Sequence, residues 1–67
     1  MNLGEIAHKY RNKRIHAKMT DGEIFEGKVV SYCSAEDNEP APEGIIIETS
    51  SGALIELYIN EIENITA

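Results

Sequence analysis

The stretch Asp21-Gly22-Glu23-Ile24-Phe25-Glu26-Gly27 (DGEIFEG) lies in the first half of a 67-residue chain. An Asp-Gly pair between two apolar runs is a strong hairpin signal, because glycine supplies the positive φ that a tight turn demands. Gly27 then falls inside the strand-like run that follows. A glycine there weakens a strand, so it marks a bulge, a bend or a close backbone approach. The run that carries it, EIFEGKVVSYC over residues 23–33, is long for so short a chain. A strand of that length must curl strongly if it is to close a small barrel, and Gly27 permits the curl. Phe25, Gly27, Val29, Ser31 and Cys33 share one face, while Ile24, Val30 and Tyr32 share the other. Apolar residues on both faces suit a strand that passes from one side of a barrel to the other, or meets a helix on its outside.

Upstream of the turn, Ile15, Ala17 and Met19 alternate with His16 and Lys18, which predicts a half-buried strand over about residues 14–20. Before it, Asn2 is placed as a helix N-cap, and Glu5 follows three residues later. Leu3, Ile6, Ala7 and Tyr10 form one apolar stripe, so a short helix over about residues 3–10 is expected. Two turns are unstable alone, so that stripe must rest on something. Downstream, SAEDNEPAPE over residues 34–43 has two prolines, four acids and no periodicity, and reads as a mobile loop. Strands are expected over about residues 44–49, 53–59 and 62–66, with turns at SSG and at Asn60–Glu61. Ile55, Leu57 and Ile59 share one face of the fourth strand, and Ile62 and Ile65 supply the fifth. The expectation from this pattern is one mainly β domain over residues 1–67: a short N-terminal helix followed by five strands in an all-β barrel or sandwich.

A chain of 67 residues buries only about 60% of its unfolded surface, so its stability is marginal unless a partner adds to it. There is no room for a deep catalytic cleft beside a scaffold, and the expectation is a binding module rather than an enzyme. Isoleucine dominates the apolar set and tryptophan is absent, which favours strands. A single cysteine excludes an internal disulfide and a multi-cysteine zinc site. Residues 1–13 lack the apolar run of a signal peptide, and the longest apolar stretch, Ile45–Ile47, is far too short to span a membrane. A reducing, cytoplasmic setting is expected.

The net charge of −6 is unevenly spread. Residues 1–18 carry five of the six basic residues against Glu5 alone, which gives +4; residues 19–67 carry eleven acids against Lys28, which gives −10. The overall acidity opposes tight nucleic-acid binding, and the basic N-terminal segment is the local exception.

KMTDGEIFEGKVVSY resembles the first motif of the Sm-like (LSM/Hfq-like) family: an apolar position, a turn Asp or Asn with Gly, four residues, a second Gly, then an apolar strand. LYINEIENI is similar in place to the second motif, where a short strand turns sharply into a final strand. The resemblance covers nearly the whole chain, with Gly22 and Gly27 as its most specific matches. It implies a five-stranded, strongly bent antiparallel SH3-like/Sm-like barrel that assembles into a ring when the fourth and fifth strands pair between copies. It also implies what is missing. Cys33 stands where the family has an Asp, and residues 34–43 replace a short loop whose Asn grips an RNA base. Ile59 and Asn60, followed by Glu61, stand where an Arg-Gly or Lys-His pair contacts RNA. The family's usual central RNA site is therefore expected to be absent.

Two surfaces remain as candidates. The acidic set Glu36, Asp37, Glu39 and Glu43, with Asn60 and Glu61 at the last turn, is a candidate contact for a protein partner. The leading expectation is a protein-interaction or regulatory module that works through these acids. The basic run His8–Lys18 is the alternative. Lys9, Arg11, Lys13 and Arg14 are placed to meet RNA phosphates and Tyr10 to stack on a base. The plainer reading of that run is a solvated helix end, with Arg14 and Lys18 paired to nearby acids. His8 and His16 read as surface histidines, because no third ligand stands at suitable spacing. Cys33 reads as a small core residue without an activating base. No cofactor or metal is expected. The Asn64 sequon is one by spelling only.

Overall fold

A computed structural model describes all residues, Met1–Ala67. Helix α1 spans Leu3–Lys9. The strands are β1 (Arg14–Met19), β2 (Ile24–Cys33), β3 (Gly44–Glu48), β4 (Leu54–Tyr58) and β5 (Ile62–Thr66), with a one-turn helix α2 (Ala35–Asn38) and a 3₁₀ turn at Ile59–Glu61. Asn2 caps α1 as its sequence position predicts, its side-chain oxygen accepting the Glu5 N–H at 3.1 Å. Leu3 and Ala7 are buried. Burying one leucine contributes roughly 1.5–3 kcal/mol, which holds a helix too short to persist alone.

The five strands form one antiparallel sheet in the order β4-β3-β2-β1-β5. This corrects the closed barrel expected from the sequence: β4 and β5 are opposite edges and do not pair. The sheet is nevertheless strongly bent. Ten extended residues of β2 would span about 30 Å if straight. The end of β4 lies in register with Gly44 beside the end of β2, and the start of β5 lies in register with Met19 beside its beginning. The four peptide steps from Tyr58 to Ile62 reach at most about 14 Å, so β2 must fold back on itself. Its first half pairs with β1 and its second half with β3. The register slips between Val29 and Ser31, a bulge that adds to the bend. The two edges are joined by the 3₁₀ turn, and β5 pairs only with β1.

The core takes residues from α1 and every strand: Leu3 and Ala7, then Ile15, Ala17 and Met19, Val29, Ile45 and Ile47, Leu57, and Ile62. The alternation read in β1 is kept residue for residue. Gly22 adopts φ 91°, as a tight turn requires. Within residues 34–43, expected as an irregular loop, Ala35–Asn38 form the one-turn helix α2, while residues 39–43 take no regular structure. Ser34 caps α2 by accepting the Asp37 N–H at 3.3 Å, and the Asn38 side chain ties the segment down. Cys33 is half-buried and outside the core cluster, which corrects its expected core placement.

Candidate functional site

Cross-strand pairing neutralises half of the lysines and arginines. Glu26 lies in register with His16 and meets both His16 Nε2 at 3.1 Å and Arg14 at 3.4 Å. Lys18 meets Glu63 at 3.5 Å, and Lys28 meets its register partner Glu48 at 3.6 Å. These pairs are half-exposed and contribute little stability, but they neutralise the outer sheet surface. Lys9, Arg11 and Lys13 have no carboxylate partner. Tyr10 packs against the core, and Lys9 Nζ sits 5.3 Å from its ring centroid.

The unpaired cations border a groove. Helix α1 runs antiparallel to the second half of β2, with Gly4 facing Tyr32 at one end and Arg11 bridged to Val29 at the other. The groove between them is about 10 Å long by helical and strand rise, and its volume is about 350 Å³. Gly4, Ala7, His8 and Arg11 line the helix side; Val29, Val30, Ser31 and Tyr32 line the strand side. Two features position it. The bulge between Val29 and Ser31 re-aims the strand residues that form its wall. Asn12 turns the chain with φ 62°. The Asn12 N–H donates to the Val29 carbonyl at 2.8 Å, and the Val29 N–H donates to the Lys13 carbonyl at 3.1 Å. Arg11 is thereby pinned at the groove mouth.

Of the basic residues named from the sequence, the structure brings Arg11 to this groove, leaves Lys9 and Lys13 beside it in the chain, and pairs Arg14 with Glu26. The aromatic ring in the groove is Tyr32, 38% exposed, rather than Tyr10. The sequence places Tyr32 with Ile24 and Val30 on one face of β2. Its meeting with α1 is not encoded in any local pattern.

The acidic residues gather elsewhere. Glu36, Asp37 and Glu39 are exposed on and after α2, and Glu43 lies just before β3. Glu43 stands beside Tyr32, and the tyrosine hydroxyl is raised above its usual range by burial first and by the Glu43 carboxylate second. The Glu43 carbonyl accepts the Ile59 N–H at 2.9 Å, and the Glu61 carbonyl accepts the Thr20 N–H at 2.9 Å. The 3₁₀ turn with exposed Asn60 and Glu61 thus joins the 34–43 segment to the first hairpin. There Asp21, Glu23 and Glu61 surround a shallow hollow of about 270 Å³ that also touches Met19 and Phe25.

Glu56 of β4 anchors the acidic segment. Its carboxylate accepts the Asn38 amide at 3.1 Å and the Tyr58 hydroxyl at 3.0 Å, while Asn38 also donates to the Pro42 carbonyl at 2.8 Å. These bonds, Asn38 first and Tyr58 next, hold the Glu56 carboxyl below its usual range. The same carboxylate holds the Tyr58 hydroxyl up. Burial, then Glu56, pushes the Cys33 thiol up, which suppresses the nucleophilic thiolate. No three His, Cys, Asp or Glu side chains are grouped to hold a metal ion, and no helix is long and apolar enough to cross a membrane. Comparison with family models, curated proteins and solved structures finds no match to this chain.

Proposed function

We propose that this chain is a non-enzymatic, cytoplasmic binding module of Sm-like type, and that its α1–β2 groove takes single-stranded RNA. One observation carries the reading. Lys9, Arg11 and Lys13 stay uncompensated while the sheet's cations are paired, and Arg11 shares a groove with the ring of Tyr32. A cation supplies phosphate affinity, and a tyrosine face stacks on any base. The residues present suit this lateral groove better than the family's central site, where Ile59, Asn60 and Glu61 offer no cation.

The Sm-like resemblance also implies a ring in which β4 of one copy pairs with β5 of the next. Both strands have one unpaired edge, which supports that assembly.

The reading is tested by titrating labelled oligouridylate at several salt concentrations. Wild type should bind at low salt. Replacing Lys9, Arg11 and Lys13 with Gln should reduce the log–log salt slope by about 2, the release expected for three phosphate contacts on a single strand. No binding by wild type at low salt overturns the proposal.

A second reading, a protein partner with a basic surface, is favoured by the order of residues 34–43. Glu36, Asp37 and Glu39 are presented on an anchored turn rather than a free loop. Such a partner would lose affinity when these acids are neutralised and would be indifferent to Lys9, Arg11 and Lys13.

A further inference from the structure

The two histidines differ in what they meet. His16 Nε2 lies 3.1 Å from the Glu26 carboxylate on the outer sheet surface. His8 is exposed in the last turn of α1 and lines the α1–β2 groove one helical turn before Arg11. It has no carboxylate partner. No acid lines this groove. The other charged or titratable groups along it are Arg11 on the helix and Tyr32 on the strand. The Tyr32 hydroxyl is held above its usual range by burial first, so it carries no charge below about pH 10. Strand β3 also packs against α1, but it turns Ile45 and Ile47 into the core and pairs Glu48 with Lys28. Glu5, one turn before His8, forms no ion pair with it.

Resting on the RNA reading above, we propose that His8 is a second phosphate ligand of the groove, one whose grip depends on pH: protonated, it joins Arg11 on the RNA backbone, and neutral, it leaves Arg11 alone there. Histidine is the side chain whose charge ordinarily changes between about pH 5 and 8. Its protonated ring offers two N–H donors and no acceptor, which suits phosphate oxygens. Residues three apart on a helix are surface neighbours, so His8 and Arg11 can meet the same stretch of backbone. In the empty groove two such cations repel each other. A phosphate between them removes that repulsion, and the proton is drawn from solvent. RNA therefore favours the proton, and the proton favours RNA by the same factor. The C-terminal end of α1 adds to this, because its carbonyl dipoles favour a cation. His16 has no such part, since Glu26 already compensates its charge and it lines no groove.

The test measures binding of a labelled oligouridylate by fluorescence anisotropy at about pH 5.5 and about pH 8, on either side of the ordinary histidine range, each across a salt series. Wild type is compared with His8→Gln, His8→Lys and His16→Gln. Circular dichroism verifies that each protein is folded at both pH values. Wild type should bind about fivefold or more tightly at the lower pH, the low end of usual coupling between two bound species. Its salt slope there should be steeper by about 0.7, the release expected for one further phosphate contact on a single strand. His8→Gln should lose both gains. His8→Lys should show the steeper slope at both pH values, because lysine stays charged throughout this range. His16→Gln should keep the wild-type behaviour. Equal wild-type affinity at the two pH values overturns the role of His8 and leaves the RNA reading standing. An acid gain that survives in His8→Gln does the same, since another group then carries it. No binding by wild type at either pH overturns both.

Discussion

Gly27 of β2 lies directly against the backbone of Glu48 at the end of β3. A Cβ at position 27 would stand 2.7 Å from the Glu48 carbonyl oxygen, 3.1 Å from its carbonyl carbon and 3.2 Å from Ile47 Cβ. Glu48 pairs with Lys28 and is the last residue of the β2–β3 ladder, so this approach occurs where β2 passes from one partner strand to the other. Backbone atoms cannot swing away as a flexible side chain can. Gly27→Ala should therefore destabilise the protein by about 1–3 kcal/mol, the usual cost of overpacking. Urea denaturation should show a lower midpoint with an unchanged slope. An unchanged midpoint would mean that the strands part at no cost, and that Gly27 is not what sets the bend.

Glu56 gives stability a pH dependence with a definite sign. Its folded pKa is depressed from the ordinary 4.5 by the bonds from Asn38 and Tyr58. A depressed carboxyl contributes stability that is present above the unfolded pKa and lost as pH falls through the folded pKa. The wild-type melting temperature should accordingly drop on acidification below about pH 4.5. Glu56→Gln should melt lower at pH 7 and show a smaller acid-induced drop. Identical pH profiles for the two proteins would show that the Asn38–Glu56 bond does not hold the acidic turn.

Arg11 and Tyr32 should fail in different ways. On the proposed RNA reading, Arg11→Gln should remove one phosphate contact, so RNA affinity should fall and the salt slope should fall by about 0.7. Tyr32→Ala removes a stacking face, so affinity should fall about tenfold with the salt slope unchanged. Anisotropy titrations across a salt series separate the two. A change of slope in Tyr32→Ala would place that residue outside the stacking role.

Asn12 sits at φ 62°, a region that β-branched residues enter only at a cost of about 1–2 kcal/mol. Asn12→Val should lower the thermal midpoint, while Asn12→Gly should hold or raise it. Both keep the N–H that bonds Val29, so the comparison isolates backbone conformation. A well-tolerated valine would show that the Tyr10–Lys13 turn relaxes freely, and Arg11 would then not be pinned.

Much of the fold was legible because its signals are local. The alternation of Ile15, Ala17 and Met19 names a buried face whatever the strand pairs with. Asn2 and Gly22 are read from capping and turn chemistry confined to a few residues. Residues 34–43, whose prolines and acids lack periodicity, gave no signal for the single turn of α2. The order of that segment comes from Asn38 reaching Glu56, eighteen residues away.

The candidate site was legible only in part. The charge asymmetry, and Arg11 within it, is written in the sequence, because which residues are acids and bases does not depend on folding. Which cations remain free is a tertiary outcome, decided by the registers that place Glu26 against His16 and Glu48 against Lys28. Tyr32 joins Arg11 in one groove only because α1 packs antiparallel to the bulged half of β2. The sequence by itself determined a helix and five strands, a close backbone approach at Gly27 and a basic segment followed by an acidic one, since propensity, periodicity and charge act within a few residues. Tertiary structure decided that the sheet stays open, that Tyr32 rather than Tyr10 enters the groove, and that Asn38 ties the acidic segment to Glu56. Those outcomes depend on which distant segments share a ladder, and no local pattern carries that information.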